Sequence, residues 1–232
     1  MSTHKLNHLA IIPDGNARWA KANGKTIYEA YSTANARTLE LARHARHAHG
    51  IHTQTLWGLS TENWQHRPKA ELTFLVNLFS KAIDSWVTDA HEDKMRLVHL
   101  GNRTRLPQKL LRRMAEAEAE TAHYNQFVFN IGLDYGGHDE IMRAVEKQRA
   151  AGASGPLDEF LDTAGQPHPN PDFIIRTSGE VRLSGFMPWQ ADYAEYYFEP
   201  VFFPDLSIPK LDTAIEDYYN RQRRFGGGHS AS

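Results

Sequence analysis

An apolar run, Leu9-Ala10-Ile11-Ile12, stops at Pro13-Asp14-Gly15-Asn16 and continues into Ala17-Arg18-Trp19-Ala20-Lys21. That is the pattern of a strand, a tight turn and a helix start. Backbone N–H groups at such a turn converge on one point and suit an anion, helped by the helix dipole. Arg18 adds a planar fork of donors matched to phosphate oxygens. Asp14 would repel a bare phosphate, so it implies a bridging cation. Mg²⁺ fits, because it binds through one or two carboxylates together with substrate phosphates. Turn chemistry by itself also explains Asp, Gly and Asn here, so other stretches must decide.

Two of them lean the same way. Gly58-Leu59-Ser60-Thr61-Glu62-Asn63-Trp64 sets short hydrogen-bonding groups beside an apolar wall, which suits a ligand with a polar head and a hydrocarbon body. Ser60 or Thr61 would equally serve to cap a following helix. In Arg176-Thr177-Ser178-Gly179-Glu180-Val181-Arg182-Leu183-Ser184, two arginines with hydroxyls between them look like a second anion site. Further on, Tyr193-Ala194-Glu195-Tyr196-Tyr197-Phe198 puts one carboxylate in an aromatic run, where it needs a partner, either Mg²⁺ or an arginine. His44, His47, His49 and His52 lie close together, but there is no HExxH and the surroundings read as an Ala/Arg-rich helix surface. Two anion sites, one acidic metal position and apolar walls suggest a reaction between two amphiphilic diphosphates. One of them ionises to an allylic cation as metal and arginines stabilise its leaving group.

The elements that must position these residues alternate. Strands are expected at Leu6 to Ile12, Thr53 to Leu59, Met95 to Leu100, Phe127 to Leu133, Phe173 to Arg176 and Val201 to Phe203. Helices are expected at Thr33 to His49, Glu71 to Ala90, Pro107 to His123, His138 to Ala150, Leu157 to Thr163 and Lys210 to Arg224. The second of these carries Leu72, Leu75, Val76, Phe79, Ile83, Trp86, Val87 and Ala90 at helical spacing. The alternation predicts an α/β fold, a single domain with a central, mainly parallel six-stranded sheet flanked by helices, over residues 1–225 with a flexible tail at 226–232. In such sheets ligands sit beyond the carboxyl ends of the strands, where the motifs above fall.

Composition sets bounds. The chain has 232 residues, 41% of them hydrophobic, which supports a packed core. A net charge of −2 gives no electrostatic footprint for nucleic acid. The absence of cysteine excludes disulfides, thiolate metal sites and a cysteine nucleophile. We find no signal-peptide pattern and no apolar run long enough for a transmembrane helix, so a cytoplasmic location is the expectation.

Taken together, the motifs resemble the cis-prenyltransferase family, which includes undecaprenyl diphosphate synthases. The matching stretches are Ile11 to Ala20, Leu59 to Trp64, Asp134-Tyr135-Gly136-Gly137, Ile175 to Ser184, Trp189-Gln190 with Tyr193-Ala194-Glu195, Pro204-Asp205 and Arg223 to Gly227, in family order over nearly the whole chain. The resemblance implies the cis-prenyltransferase fold, Mg²⁺ as cofactor and a homodimer whose interface includes the last helix and C-terminal segment. It implies that Asp14 binds Mg²⁺ and diphosphate and that Glu195 completes the metal site. Gly15, Asn16, Ala17 and Arg18, with Trp19 beside them, would cradle the donor diphosphate. Ser60, Thr61, Glu62 and Trp64 would border the reacting ends, with Asn63 at the position assigned to proton removal. Arg176, Arg182, Leu183 and Ser184 would hold the acceptor.

The departures carry information too. Where the family has R-x-x-G-H-x-x-G, this chain places Ile27, Ala30 and Tyr31 at the Arg, Gly and His positions, and Glu29 adds negative charge. Trp64-Gln65-His66-Arg67-Pro68 is one residue longer than the usual spacing, which detaches Arg67 from its expected role, and Pro188 stands where a leucine is common. Trp57 and Trp86 would either plug the hydrocarbon tunnel or pack in the core. These departures resemble the family's irregular, lavandulyl-type branch, whose members join two dimethylallyl diphosphates head-to-middle; a cyclolavandulyl-type member would also close a ring, with the released diphosphate and Asn63 as candidate proton carriers. The alternatives are a conventional head-to-tail synthase using isopentenyl diphosphate and, third, a non-catalytic partner subunit.

Overall fold

The computed structural model describes residues 5–221. Six strands form one sheet in the order β3-β4-β2-β1-β5-β6, and every neighbouring pair is parallel. They are β1 (His8–Ile12), β2 (Thr53–Ser60), β3 (Met95–Leu100), β4 (Phe127–Tyr135), β5 (Phe173–Arg176) and β6 (Glu195–Phe198). The helices are α1 (Asn16–Ala22), α2 (Ile27–His49), α3 (Thr61–His66), α4 (Lys69–Asp93), α5 (Gln108–Thr121), α6 (Gly137–Ala150) and α7 (Ile208–Asn220). None of the described helices is long and apolar enough to cross a membrane.

Two expectations are corrected. The sixth strand is Glu195–Phe198, and Val201 to Phe203 is not a strand, since it runs into a 3-10 turn at Phe203–Asp205. Pro204 has no N–H to give a ladder, whereas the alternating Glu195-Tyr196-Tyr197-Phe198 pairs along β5 from Phe173 to Arg176. The long helix α2 begins at Ile27, six residues before Thr33. Thr26 and Glu29 form a reciprocal capping box there, with the Glu29 carboxylate accepting from the Thr26 N–H at 2.8 Å. Glu29, which reads in the sequence as a stray negative charge, is therefore a helix-starting group. The expected tail at 226–232 and the Arg223 to Gly227 match lie outside the described residues.

The sheet's two faces divide the core. Leu9, Ile11, Leu56, Phe173 and Ile175 face α2, α4 and α7; Ala10, Ile12, Trp57 and Ile174 face the Phe186-Met187 segment. Helix α4 buries Leu75, Phe79, Ile83, Trp86, Val87 and Ala90 on the first side, as its periodicity predicts. Of the two tryptophans, Trp86 packs in the core and Trp57 borders the crevice at the carboxyl end of β2. The Trp57 ring stacks on Phe186 at 5.0 Å on the opposite side of the sheet from α4, and its indole N–H donates to the Tyr135 carbonyl. Trp86 packs edge-on against Phe129 within the core.

The register aligns the carboxyl ends that matter. Ile11 lies beside Leu56 and Ile12 beside Arg176, so the segments after β1, β2 and β5 open at one edge. Successive connections run to opposite sides at the β1/β5 junction, which creates the crevice where open α/β sheets bind ligands.

At the other end of β1, His8 is fully buried and shares a 2.7 Å hydrogen bond with Thr55, which in turn accepts from Asn130. Burial pushes the His8 imidazole down to about 3. The unfolded chain takes up this proton near pH 6.5, whereas the folded chain does not. The stability from His8 is therefore fully present above pH 6.5 and is lost as pH falls toward 3. Between pH 6.5 and 5 the expected loss is about 2 kcal/mol. Urea unfolding should register this slope, and His8→Gln should remove about one proton's share of it; an unchanged slope in the variant would contradict the assignment.

Candidate active site

Asp14 lies in the crevice and is fastened from several sides. Its own N–H donates to the Thr177 hydroxyl (2.9 Å), and that hydroxyl donates to the Asp14 carbonyl (2.8 Å). One carboxylate oxygen accepts from the Gly15 N–H at 2.6 Å and from Arg18 at 3.3 Å. The other accepts from Arg176 at 2.8 Å. Burial pushes the Asp14 carboxyl up, but the Arg176 hydrogen bond and charge, with the Gly15 N–H, outweigh it and hold the group below its usual range. It is a carboxylate at neutral pH.

Gly15 makes this turn possible. Its φ is 96°, and a Cβ there would lie 2.6 Å from the Phe202 ring and 2.9 Å from Ser178. After it, the N–H groups of Asn16, Ala17 and Arg18 open α1 and have no partner inside the helix. Gly15→Ala combines a strained backbone with a clash. It should lower activity at least tenfold and stability by about 1–3 kcal/mol, checked by steady-state kinetics beside thermal unfolding; wild-type values in both would remove the turn from the account.

The β5 side supplies cations. Arg176 is buried, and it donates to the Ser184 hydroxyl at 2.9 Å and to the Arg182 carbonyl. Its Nε, also buried, has no acceptor among the described residues. The Arg176 side chain lines the crevice, where its charge suits a phosphate oxygen. Arg18 donates to Ser178 (2.7 Å) and Glu180 (2.9 Å), and Arg182 reaches the other oxygen of Glu180 at 2.5 Å. The Glu180 carboxylate thus bridges two arginines that an incoming diphosphate would claim. Neither this bridge nor the Thr177 clasp is legible in the sequence, because both depend on β1 and β5 being neighbours.

Opposite lies a second polar group. Tyr31 on α2 donates to Glu71 on α4 at 2.5 Å, and Arg67 contacts both the Tyr31 hydroxyl and Glu71, the latter at 2.5 Å. Burial and then the Glu71 acceptor push the Tyr31 phenol up, so it stays neutral. Arg67, detached by its spacing in the sequence, is thereby brought back into the site. Ile27 is packed against the core and does not line the cavity.

These groups surround a cavity of about 560 Å³. It is lined by Asp14, Gly15, Asn16, Ala17, Arg18, Ser60, Glu62, Asn63, Arg176 and Ser184, all anticipated, and by Tyr31, Asn35, Thr38 and Arg67, which were not assigned to it. Leu75, Leu78 and Phe79 of α4 form its apolar wall. Ser60 also caps α3, accepting from the Asn63 N–H at 3.0 Å, so both sequence readings of Ser60 hold together.

Other expected residues stand outside this lining. Trp19 donates its indole N–H to Asp205, Thr61 approaches Arg105, Trp64 packs on the core beside α4, Leu183 packs near Phe186, and Arg182 lies at the rim on Glu180. Glu195 does not meet Asp14 within the chain. It begins β6 beside Phe173, three residues and so about 10 Å back along the strand from Arg176. Its partner is the arginine alternative, Arg221, at 3.0 Å.

Comparison with known proteins agrees with this geometry. The profile of the family described as "Putative undecaprenyl diphosphate synthase" matches residues 12–226. An isoprenyl transferase of Streptococcus thermophilus is 37% identical, over 95% of this chain and 93% of its own. The (2E,6E)-farnesyl-diphosphate-specific ditrans,polycis-undecaprenyl-diphosphate synthase of Haemophilus ducreyi is 38% identical over the same shares, 95% and 93%. Among solved structures, lavandulyl diphosphate synthase from Lavandula x intermedia, in complex with dimethylallyl diphosphate, superposes with a TM-score of 0.90 at 31% identity, covering 96% of this chain and 99% of that one. A probable undecaprenyl diphosphate synthase from Campylobacter jejuni gives 0.80 at 28% identity, covering 97% and 100%.

Proposed function

The chain belongs to the cis-prenyltransferase family, and we propose that within it this enzyme joins two dimethylallyl diphosphates head-to-middle to give a lavandulyl-type ten-carbon diphosphate. The observation that carries the reading is the donor wall of the cavity. A neutral, buried Tyr31 and a packed Ile27 stand where a donor loop with arginine and histidine is expected, and Arg67 is left as the cation on that side. A wall with fewer cations suits a small donor. The cavity of about 560 Å³ is within the range that encloses one drug-sized ligand, and an undecaprenyl chain is far larger.

In this scheme one diphosphate lies against Gly15 to Arg18 with Arg67 opposite. The other takes Arg176, Arg182 and Ser184, displacing Glu180 from the two arginines. Mg²⁺ fits the donor set as Asp14 plus diphosphate oxygens, without Glu195 of the same chain, and supplies stabilisation of the departing diphosphate. The donor C1–O bond breaks, C1 bonds to C2 of the acceptor, and the cation left at C3 loses a methyl proton to the released diphosphate. Asn63 is an amide and too weak a base to take that proton; its part is to orient the reacting ends. Ring closure would need that proton returned to the new alkene, and the released diphosphate that took it is the candidate carrier. The open-chain product is the first product of the scheme, and cyclisation would follow from it. A homodimer in the cytoplasm belongs to the same reading.

A second reading, conventional head-to-tail elongation with isopentenyl diphosphate, is favoured by the names of the relatives at 37–38% identity. Calorimetric titration with an unreactive thio-analogue of dimethylallyl diphosphate separates the two. The proposal expects two analogue molecules per chain, falling to one in Arg182→Ala. One per chain, with the second site filled only by isopentenyl diphosphate, would favour the conventional enzyme.

A further inference from the structure

Away from the cavity, α2 and α7 bring together three side chains that the reaction does not use. His44 Nε2 lies 2.6 Å from Asp212 Oδ1, and His49 Nε2 lies 2.7 Å from the same oxygen. The two rings are 5.3 Å apart and nearly perpendicular. All three side chains are half-buried, so metal and water can reach them. None lines the diphosphate cavity.

Residues five apart on a helix point about 140° away from each other. His44 and His49 converge only because His49 is the last residue of α2, ahead of the left-handed Gly50. The histidine spacing alone carried no site in the sequence; Asp212, which arrives from α7 at the far end of the chain, supplies the third arm. The carbonyl end of α2 adds a partial negative charge that favours a cation there.

We propose that His44, His49 and Asp212 form a transition-metal site, with zinc as the best-fitting ion, that ties α7 to the end of α2. Two imidazole nitrogens and one carboxylate oxygen make a tetrahedral set with water in the fourth position. Imidazole also sets this site apart from one for Mg²⁺, which prefers oxygen. Bonds of about 2.0–2.2 Å place the ligand atoms about 3.3 Å from one another. At present each Nε2–H donates to the Asp212 carboxylate; on metal binding these distances open by about 0.6 Å through side-chain rotation, and each neutral imidazole carries its proton on Nδ1, which frees Nε2 as the ligand. The site is separate from catalysis, and its effect is on the stability of the α2–α7 contact.

The test uses the full chain, stripped with chelator and titrated with Zn²⁺ by calorimetry and with Co²⁺ by visible absorption. The expected result is one ion per chain, a tetrahedral cobalt spectrum and a melting temperature raised on the order of 5–10 °C at a hundredfold excess over Kd. His49→Ala, His44→Gln and Asp212→Asn should each abolish the spectrum and the thermal shift, and His47→Ala should keep both. No zinc-induced shift in the wild type, or metal binding that persists in all three site variants, would overturn the proposal.

Discussion

Asp14→Ala is expected to lower kcat about a thousandfold, because it removes the proposed Mg²⁺ ligand and the anionic partner of Arg176 at once. The two losses can be separated. Asp14→Asn keeps a single acceptor oxygen, enough for either Arg176 or the Gly15 N–H, so it should melt between wild type and Asp14→Ala and still be inactive. Asp14→Ala should also melt lower, since buried Arg176 loses its charged partner. The depressed carboxyl gives the sign of the pH effect. Asp14 is ionised in the folded chain above its lowered pKa, so its pairing stabilises the fold at neutral pH and is lost as pH falls through that value. Activity should therefore not fall through Asp14 protonation until below about pH 4. An Asp14→Ala enzyme with a tenth or more of wild-type turnover would refute the catalytic scheme.

Arg67→Ala should reduce kcat/KM by about ten- to a hundredfold, the worth of one charge-assisted hydrogen bond to the donor diphosphate. The effect should fall mainly on donor KM. Tyr31→Phe offers a milder comparison: it keeps the ring stacked on Phe74 and removes the hydroxyl that Arg67 and Glu71 share. Restoring the cations with Ile27→Arg and Tyr31→His should shift preference toward longer allylic donors. It should also introduce a group titrating near pH 6.5, so that the gain in donor affinity grows as pH falls through that value. Competition assays with five-, ten- and fifteen-carbon donors would measure the shift. Preference unchanged in the double variant would mean that these positions do not select the donor.

Much of the site was legible because it sits in local motifs. Asp14 to Arg18, Ser60 to Asn63 and Arg176 to Ser184 each follow a strand, and a parallel sheet brings such ends together whatever lies between them. Strands β3 and β5 fall where the apolar runs place them, and α4 follows its helical stripe. What escaped were contacts across elements. Glu180 pairs with Arg18 across the β1/β5 crevice, and Tyr31 meets Arg67 only through the packing of α2 on α4. Spacing alone does not place Arg67, which stands at the C-terminal cap of α3 and reaches Tyr31 and Glu71 from there. Glu195 depends on packing in a related way. Its local sequence is that of a buried carboxylate needing a cation, but the register of β6 on β5 sends it to Arg221 and away from Asp14. Glu29 is legible as the fourth residue of a Thr-x-x-Glu capping box.

The proposed head-to-middle reaction requires both substrates to be allylic. The most direct test is to incubate the purified enzyme with Mg²⁺ and dimethylallyl diphosphate as sole prenyl substrate, using an equal mixture of unlabelled and fully deuterated material. The expected product is a ten-carbon diphosphate whose mass spectrum contains mixed-label species, each built from two dimethylallyl units. No product until isopentenyl diphosphate is added, followed by chains longer than ten carbons, would contradict it.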